Sequence, residues 1–231
     1  MAHSFERFGT AHIVVIALTL ATPLALSALV RWYRVGILTK TVNRVLVTLL
    51  IGDKIVSLIL LGRDGQLTIE TIAPLYLCDW AAIVTVVTLI YPNQRTYELG
   101  YFWALGGTLQ ALLTPDLSFG FPDPRFIDFF GLHGGVIAAV LYLTLGMKMR
   151  PVPASIARVL AWTALYGAVA IATNTAFNTN FGYLRAKPAH PSLLDYLASW
   201  PFYIAQLAFM ALVSCLICYL PFFIIDRRRR T

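Results

Sequence analysis

Apolar residues run through this chain in long stretches, not in the strict alternation of half-buried strands. Runs of about 20 residues, the length that crosses a bilayer core, follow one another from end to end. They predict an all-α integral membrane protein with seven transmembrane helices, near residues 11–32, 42–62, 73–92, 96–115, 126–147, 155–177 and 197–225. Pro92 and Asn93 mark a tight turn between the third and fourth spans, and the segment Pro115 to Pro124 breaks the chain before the fifth. Pro151 and Pro153 precede the sixth, and residues 178–196 form the longest loop. A membrane barrel would show shorter segments of about ten alternating residues. Nothing outside the runs is long enough to bury a core, so one domain over residues 1–231 is expected.

Composition agrees with the pattern. The 231 residues are 58% hydrophobic and 13% charged, with a mean hydropathy of +0.72. Soluble domains carry about 25% charged residues, so this surface belongs in lipid. The net charge of +7 would suggest nucleic acid in a soluble protein. Here the charges lie between and after the apolar runs, as topology signals, and no nucleic-acid partner is expected.

Twelve Lys and Arg residues fall on one side (Arg31, Arg34, Lys40, Arg44, Arg95, Lys148, Arg150, Arg158 and Arg227–Arg230). Five fall on the other (Arg7, Arg63, Arg125, Arg185 and Lys187), and Lys54 lies within a span. The bias predicts an N-terminus outside and a C-terminus in the cytoplasm, which requires an odd number of spans. The first run is long for a signal peptide and its positive charges follow it, so it reads as a retained helix.

Polar residues inside spans are costly and collect around interior sites. Cys78, on the third span, is expected roughly 8 Å below the outer face, and His133, on the fifth, roughly 10 Å below it. Gln110, Asn174, Asn178 and His12 fall in the same outer half, with Asp53 and Lys54 somewhat deeper. A thiol beside an imidazole, away from bulk water, is a nucleophile-and-base arrangement. Gly131 and Gly135 flank His133, so one face of its helix can pack closely while another carries the imidazole to a pocket.

Plainer readings compete. A lone membrane cysteine is usually inert, and a lone membrane histidine is often a hydrogen-bonded packing residue. Asp53, Lys54 and Asp79 read first as a structural ion pair or triad. Asp79 directly follows Cys78, and its charge opposes a thiolate unless Lys54 neutralises it. Cys215 and Cys218 have Cys-x-x-Cys spacing inside an apolar run without nearby His or carboxylate, so they read as small buried hydrophobes. His12 and His190 read as interfacial or loop residues. No metal or cofactor is implied, because a thiol and one imidazole lack the further ligands of a zinc site.

Leu75-Tyr76-Leu77-Cys78, Gly107 to Asp116, Phe121-Pro122, His133-Gly134, Asn180-Phe181-Gly182-Tyr183-Leu184 with Lys187-Pro188, and Leu194-Asp195 before Trp200-Pro201 occur in that order. Together they resemble the YwaF-like family that includes transmembrane protein 164, over about residues 70–204. The resemblance implies a multi-pass protein of the cell membrane, here a bacterial plasma membrane. It implies kinship with membrane hydrolases of fatty-acid esters. It also implies a cysteine acyltransferase that moves fatty acyl groups between phospholipid and lysophospholipid, with Cys78 as nucleophile and His133 as general base. Gln110, Asn174, Asn178, Asn180 and Tyr183 are the oxyanion or substrate-binding candidates. The same dyad with water as acceptor would make a lipid or fatty-acid-ester hydrolase. A small-molecule transporter or binding protein is the non-enzymatic alternative.

Overall fold

The computed structural model describes residues 4–189 and 192–228, so His190, Arg229 and Arg230 lie outside the described residues. The described residues form helices joined by loops and no strand, apart from one isolated antiparallel bridge between Ser4 and Phe119. The elements are α1 (Thr10–Tyr33), α2 (Gly36–Arg63), α3 (Ile69–Ile72), α4 (Leu77–Ile90), α5 (Gln94–Trp103), a π turn (Ala104–Thr108), α6 (Leu109–Leu113), α7 (Pro124–Leu145), α8 (Pro153–Phe177) and α9 (Phe202–Arg228). Short 3₁₀ turns at Phe181–Tyr183 and Leu193–Tyr196 organise the long loop before α9.

Six segments are long and apolar enough to cross a membrane: α1, α2, residues 69–90, α7, α8 and α9. Where the fourth span is expected, residues 94–113 are helical with the π turn Ala104–Thr108 in their middle, and this segment is not among those six. Two boundaries depart from the hydrophobic pattern. α2 begins at Gly36, because Lys40 and Arg44 are good helix formers whose exposed side chains need not enter the apolar layer. α9 begins only after Pro201, whose ring restricts the residue before it to extended backbone.

α7 is the hub. Its most apolar stretch is 61% buried, against 11–28% for the other five spans, so the bundle is built around it. Small residues set its contacts. A Cβ on Gly131 would collide with the Asp53 carboxylate, one on Gly135 would press on Leu50, and one on Gly134 would meet Thr19. The expected close seam is therefore real, with α2 lying across Gly131 and Gly135 and α1 across Gly134. Tyr142 on α7 donates to Asn43 on α2 (3.0 Å), and Tyr97 on α5 bonds Thr144 (2.9 Å), closing the core away from the site. Asp123 caps α7 through the Arg125 amide (2.9 Å), and its carboxyl is held below the usual aspartate range by hydrogen bonds from Arg125.

His12 departs from its interfacial reading. It is fully buried, accepts from the Phe8 amide at Nδ1 (3.0 Å) and donates from Nε2 to the Leu112 carbonyl (2.8 Å). Phe5, Phe8 and Phe130 surround the ring. Both nitrogens are satisfied, so His12 ties the N-terminal segment to α6 as a structural group.

Candidate functional site

The first turn of α4 is made by a break, not by the apolar run. Ala73 takes extended backbone (φ −69°, ψ 128°) before Pro74, which ends α3 and lets the helix restart at Leu77. Cys78 therefore lies in the first turn of α4 instead of more than a turn inside a continuous span. In that turn the Asp79 amide bonds the Tyr76 carbonyl (3.1 Å), while the Leu77 and Cys78 amides have no backbone acceptor among the described residues. A helix N-terminus presents such groups without helical partners, aimed at any negative charge that develops there.

Three tyrosines gather near the start of α4. Tyr76, Tyr166 and Tyr183 all lie within electrostatic reach of Cys78. The Tyr76 hydroxyl donates to Glu70 (3.1 Å), which also accepts from the Asn180 amide (3.1 Å). Phe181 is fully buried and packs edge-on against Tyr76 at 5.3 Å. Tyr183 donates to Asp116 (3.1 Å); burial, followed by the charge and hydrogen bond of Asp116, raises its pKa and keeps it a protonated donor. The loop 178–186 is thus fixed over the start of α4.

Three expected oxyanion donors hold that loop instead. Asn174 is fully buried, donates to the Phe181 carbonyl (3.0 Å) and accepts from the Phe181 amide (2.7 Å) and the Thr179 hydroxyl (3.0 Å). Asn178 caps α8 in left-handed backbone (φ 55°) and accepts from Arg185 (2.7 Å). Asn180 donates to the Ala186 carbonyl (2.9 Å) and accepts from the Arg185 and Ala186 amides (3.0 and 3.1 Å). Sequence fixes their depth but not which neighbour folds back onto them. Asn174→Leu removes all three side-chain bonds and leaves the Phe181 amide and carbonyl buried. It is expected to lower stability by about 2–3 kcal/mol and to open residues 178–186 to limited proteolysis. Unchanged protease resistance would refute the latch.

Gln110 differs from these amides. Its side chain makes no hydrogen bond among the described residues, while its backbone carbonyl accepts from the Thr114 amide and hydroxyl. A Cβ on Gly107 would press against Leu77 at 3.0 Å, so the π turn abuts the first turn of α4. Gln110 follows three residues later and shares that face. The inserted π residue rotates α6 by about 100° relative to an uninterrupted helix. The Gly-Gly pair was the available sequence signal for this feature.

His133 sits on α7, which packs against α4. Its Nδ1 lies 2.6 Å from the Phe129 carbonyl and its ring stacks on Phe129 at 4.2 Å. A carbonyl only accepts, so this bond places the proton on Nδ1 and leaves the Nε2 lone pair as the base. Asp79 is within electrostatic reach of both His133 and Cys78, and Lys54 pairs with it at 3.0 Å. Thiol and imidazole make no hydrogen bond to each other.

The expected Asp53–Lys54–Asp79 network is present, with Lys54 on Asp79 and in reach of Asp53. It extends to Asp128, which sequence reasoning missed. Ser57 donates to Asp128 Oδ2 (3.1 Å), and Asp128 is within electrostatic reach of Asp53. The signal was available, because Asp128 precedes His133 on the same helix by less than two turns. Cys215 is buried and Cys218 half-buried; both sit on α9, apart from this layer, as small apolar-environment thiols. Among the described residues no cluster of His, Cys, Asp and Glu has metal-site geometry.

The family model of the TMEM164 family matches residues 7–219. The chain belongs to the TMEM164 family. That match spans nearly the whole helical bundle, including α4, the π turn, α7 and the latched loop. Neither curated proteins nor solved structures gave a match. Family membership and the apolar helices together establish a multi-pass membrane protein.

Proposed function

We propose that the protein transfers fatty acyl groups between membrane lipids through a thioester on Cys78. His133 Nε2 takes the thiol proton, and the sulfur attacks a phospholipid ester carbonyl. The C–O bond breaks, and the lysolipid leaves with the proton returned by imidazolium. An acceptor lysolipid hydroxyl then loses its proton to His133 and attacks the thioester. The C–S bond breaks, and the thiolate recovers that proton. The α4 N-terminal amides and the Gln110 side chain are the donors for the oxyanion in both steps. Tyr183, protonated and fixed on Asp116, lies near the start of α4 and contacts substrate. Hydrogen bonds between thiol and imidazole commonly tighten only around the reacting ester.

The observation that supports this reading best is a thiol at a helix N-terminus and an imidazole whose tautomer leaves Nε2 basic, both within electrostatic reach of Asp79. Burial of His133 and partial burial of Cys78 favour transfer over hydrolysis, because water is the competing acceptor.

A thiol-reactive acyl probe tests this in membranes. Cys78 is expected to label at least about tenfold faster than Cys215 or Cys218, and His133→Ala to remove the difference. Equal labelling of all three would return the protein to a binding or transport role. Lipid mass spectrometry with added lysolipid then separates the two enzymes, because transfer yields a new diacyl lipid and hydrolysis yields free fatty acid.

A further inference from the structure

The end of the bundle remote from Cys78 carries an unneutralised group of cations. Connectivity places the C-termini of α1, α4, α7 and α9 and the N-termini of α2, α5 and α8 at this end. Two carboxylates lie there, and both are engaged. Glu98 is gripped by Arg158 at 2.8–2.9 Å, and Asp226 is paired with Arg150. Arg31, Arg34 and Lys148 have no carboxylate partner among the described residues, yet they line one open recess of about 360 Å³. That space is on the order of ten times a water molecule's share of liquid volume. It suits a headgroup better than a bare ion.

Backbone geometry sharpens the point. Arg34 (φ 51°) and Lys148 (φ 59°) both take left-handed backbone at helix ends. Glycine occupies such positions without cost and longer residues do not. Two strained positions therefore carry cations where glycine would fit better, and both cations face the same recess. Trp32 and Tyr33, 83% and 61% exposed, lie beside them on α1. Exposed aromatics of this kind mark the headgroup level of a bilayer. Neutralising the C-terminal dipoles of α1 and α7 is the simpler role for these charges, but it does not require three cations to share one recess.

We infer that Arg31, Arg34 and Lys148 form a binding site for the phosphate of an anionic phospholipid headgroup, at the membrane face opposite the Cys78 site. Arginine supplies paired donors to phosphate oxygens, and lysine supplies a point charge. The site is independent of any chemistry at Cys78.

The test uses the full chain in nanodiscs and in detergent, with native mass spectrometry counting retained phosphatidylglycerol against phosphatidylcholine. The variant is Arg34→Gly with Lys148→Gly, which relaxes both left-handed positions and so preserves folding. The control is Lys40→Gln with Arg44→Gln, which removes the same charge from exposed positions at the same end. The glycine variant is expected to lose phosphatidylglycerol retention by about tenfold or more, while the control keeps it. Equal losses in the two variants would reduce the recess to diffuse surface charge and overturn the site. Inorganic phosphate is the second probe. If millimolar phosphate reproduces the full thermal stabilisation and phosphatidylglycerol adds nothing beyond phosphatidylcholine, the ligand is a free anion and the lipid assignment falls.

Discussion

Cys78→Ala is expected to reduce lipid acyl transfer by about a thousandfold or more, a loss of about 4 kcal/mol in transition-state stabilisation. The size follows from the role, because without the sulfur there is no thioester and the acyl group must pass directly between two lipids. The thiol is partly buried at the start of a helix, and its removal takes away one small group while leaving the cap and Tyr76 contacts in place. Stability should therefore change little. His133→Ala is expected to cost about a hundredfold to ten-thousandfold as a lost general base. The double variant should be no worse than Cys78→Ala, because residues acting as one unit are not additive. Cys215→Ala and Cys218→Ala serve as controls and should leave transfer intact. The decisive measurement is formation of a new diacyl lipid from isotopically labelled lysolipid. Transfer that survives in Cys78→Ala at more than a few per cent would remove the sulfur from the mechanism.

The helices were legible in the sequence because lipid imposes a simple rule, and long apolar runs admit little besides spanning helices. The pairing of α4 with α7 near one polar layer was legible for the same reason. Depth along a helix follows from counting residues, and ionisable groups at similar depth tend to share an interior. The direction each side chain takes around its helix was not legible. Asn174, Asn178, Asn180 and Gln110 all fall at the Cys78 end of the bundle, yet three turn toward their own loop, while the Gln110 side chain makes no hydrogen bond among the described residues. The difference depends on Gly182 at φ 66° and on the π turn, local departures that periodic patterns do not encode. His12 illustrates the same limit. Its place at the start of a span suggested an interface, while Phe5 and Phe8 fold back and bury it.

The second large effect is structural. Arg158→Ala is expected to lower stability by about 3–5 kcal/mol, because it leaves Glu98 charged and without its counter-ion. Glu98 is only 1% exposed, and Arg158 gives it three contacts at 2.8–2.9 Å across the α5–α8 interface. Gln94 adds one bond to Glu98 (2.8 Å) and one to the Arg150 carbonyl (2.8 Å), so the pair also anchors the segment joining α7 to α8. The cost of Arg158→Ala is mainly the stranded carboxylate, not the lost attraction. Replacing both members with leucine removes the charge along with its partner. That double variant is expected to recover most of the loss. Unfolding in mixed micelles measures both. If the leucine pair is as unstable as Arg158→Ala, the cost lies in packing or in the lost Gln94 bond, and the stranded-charge account fails.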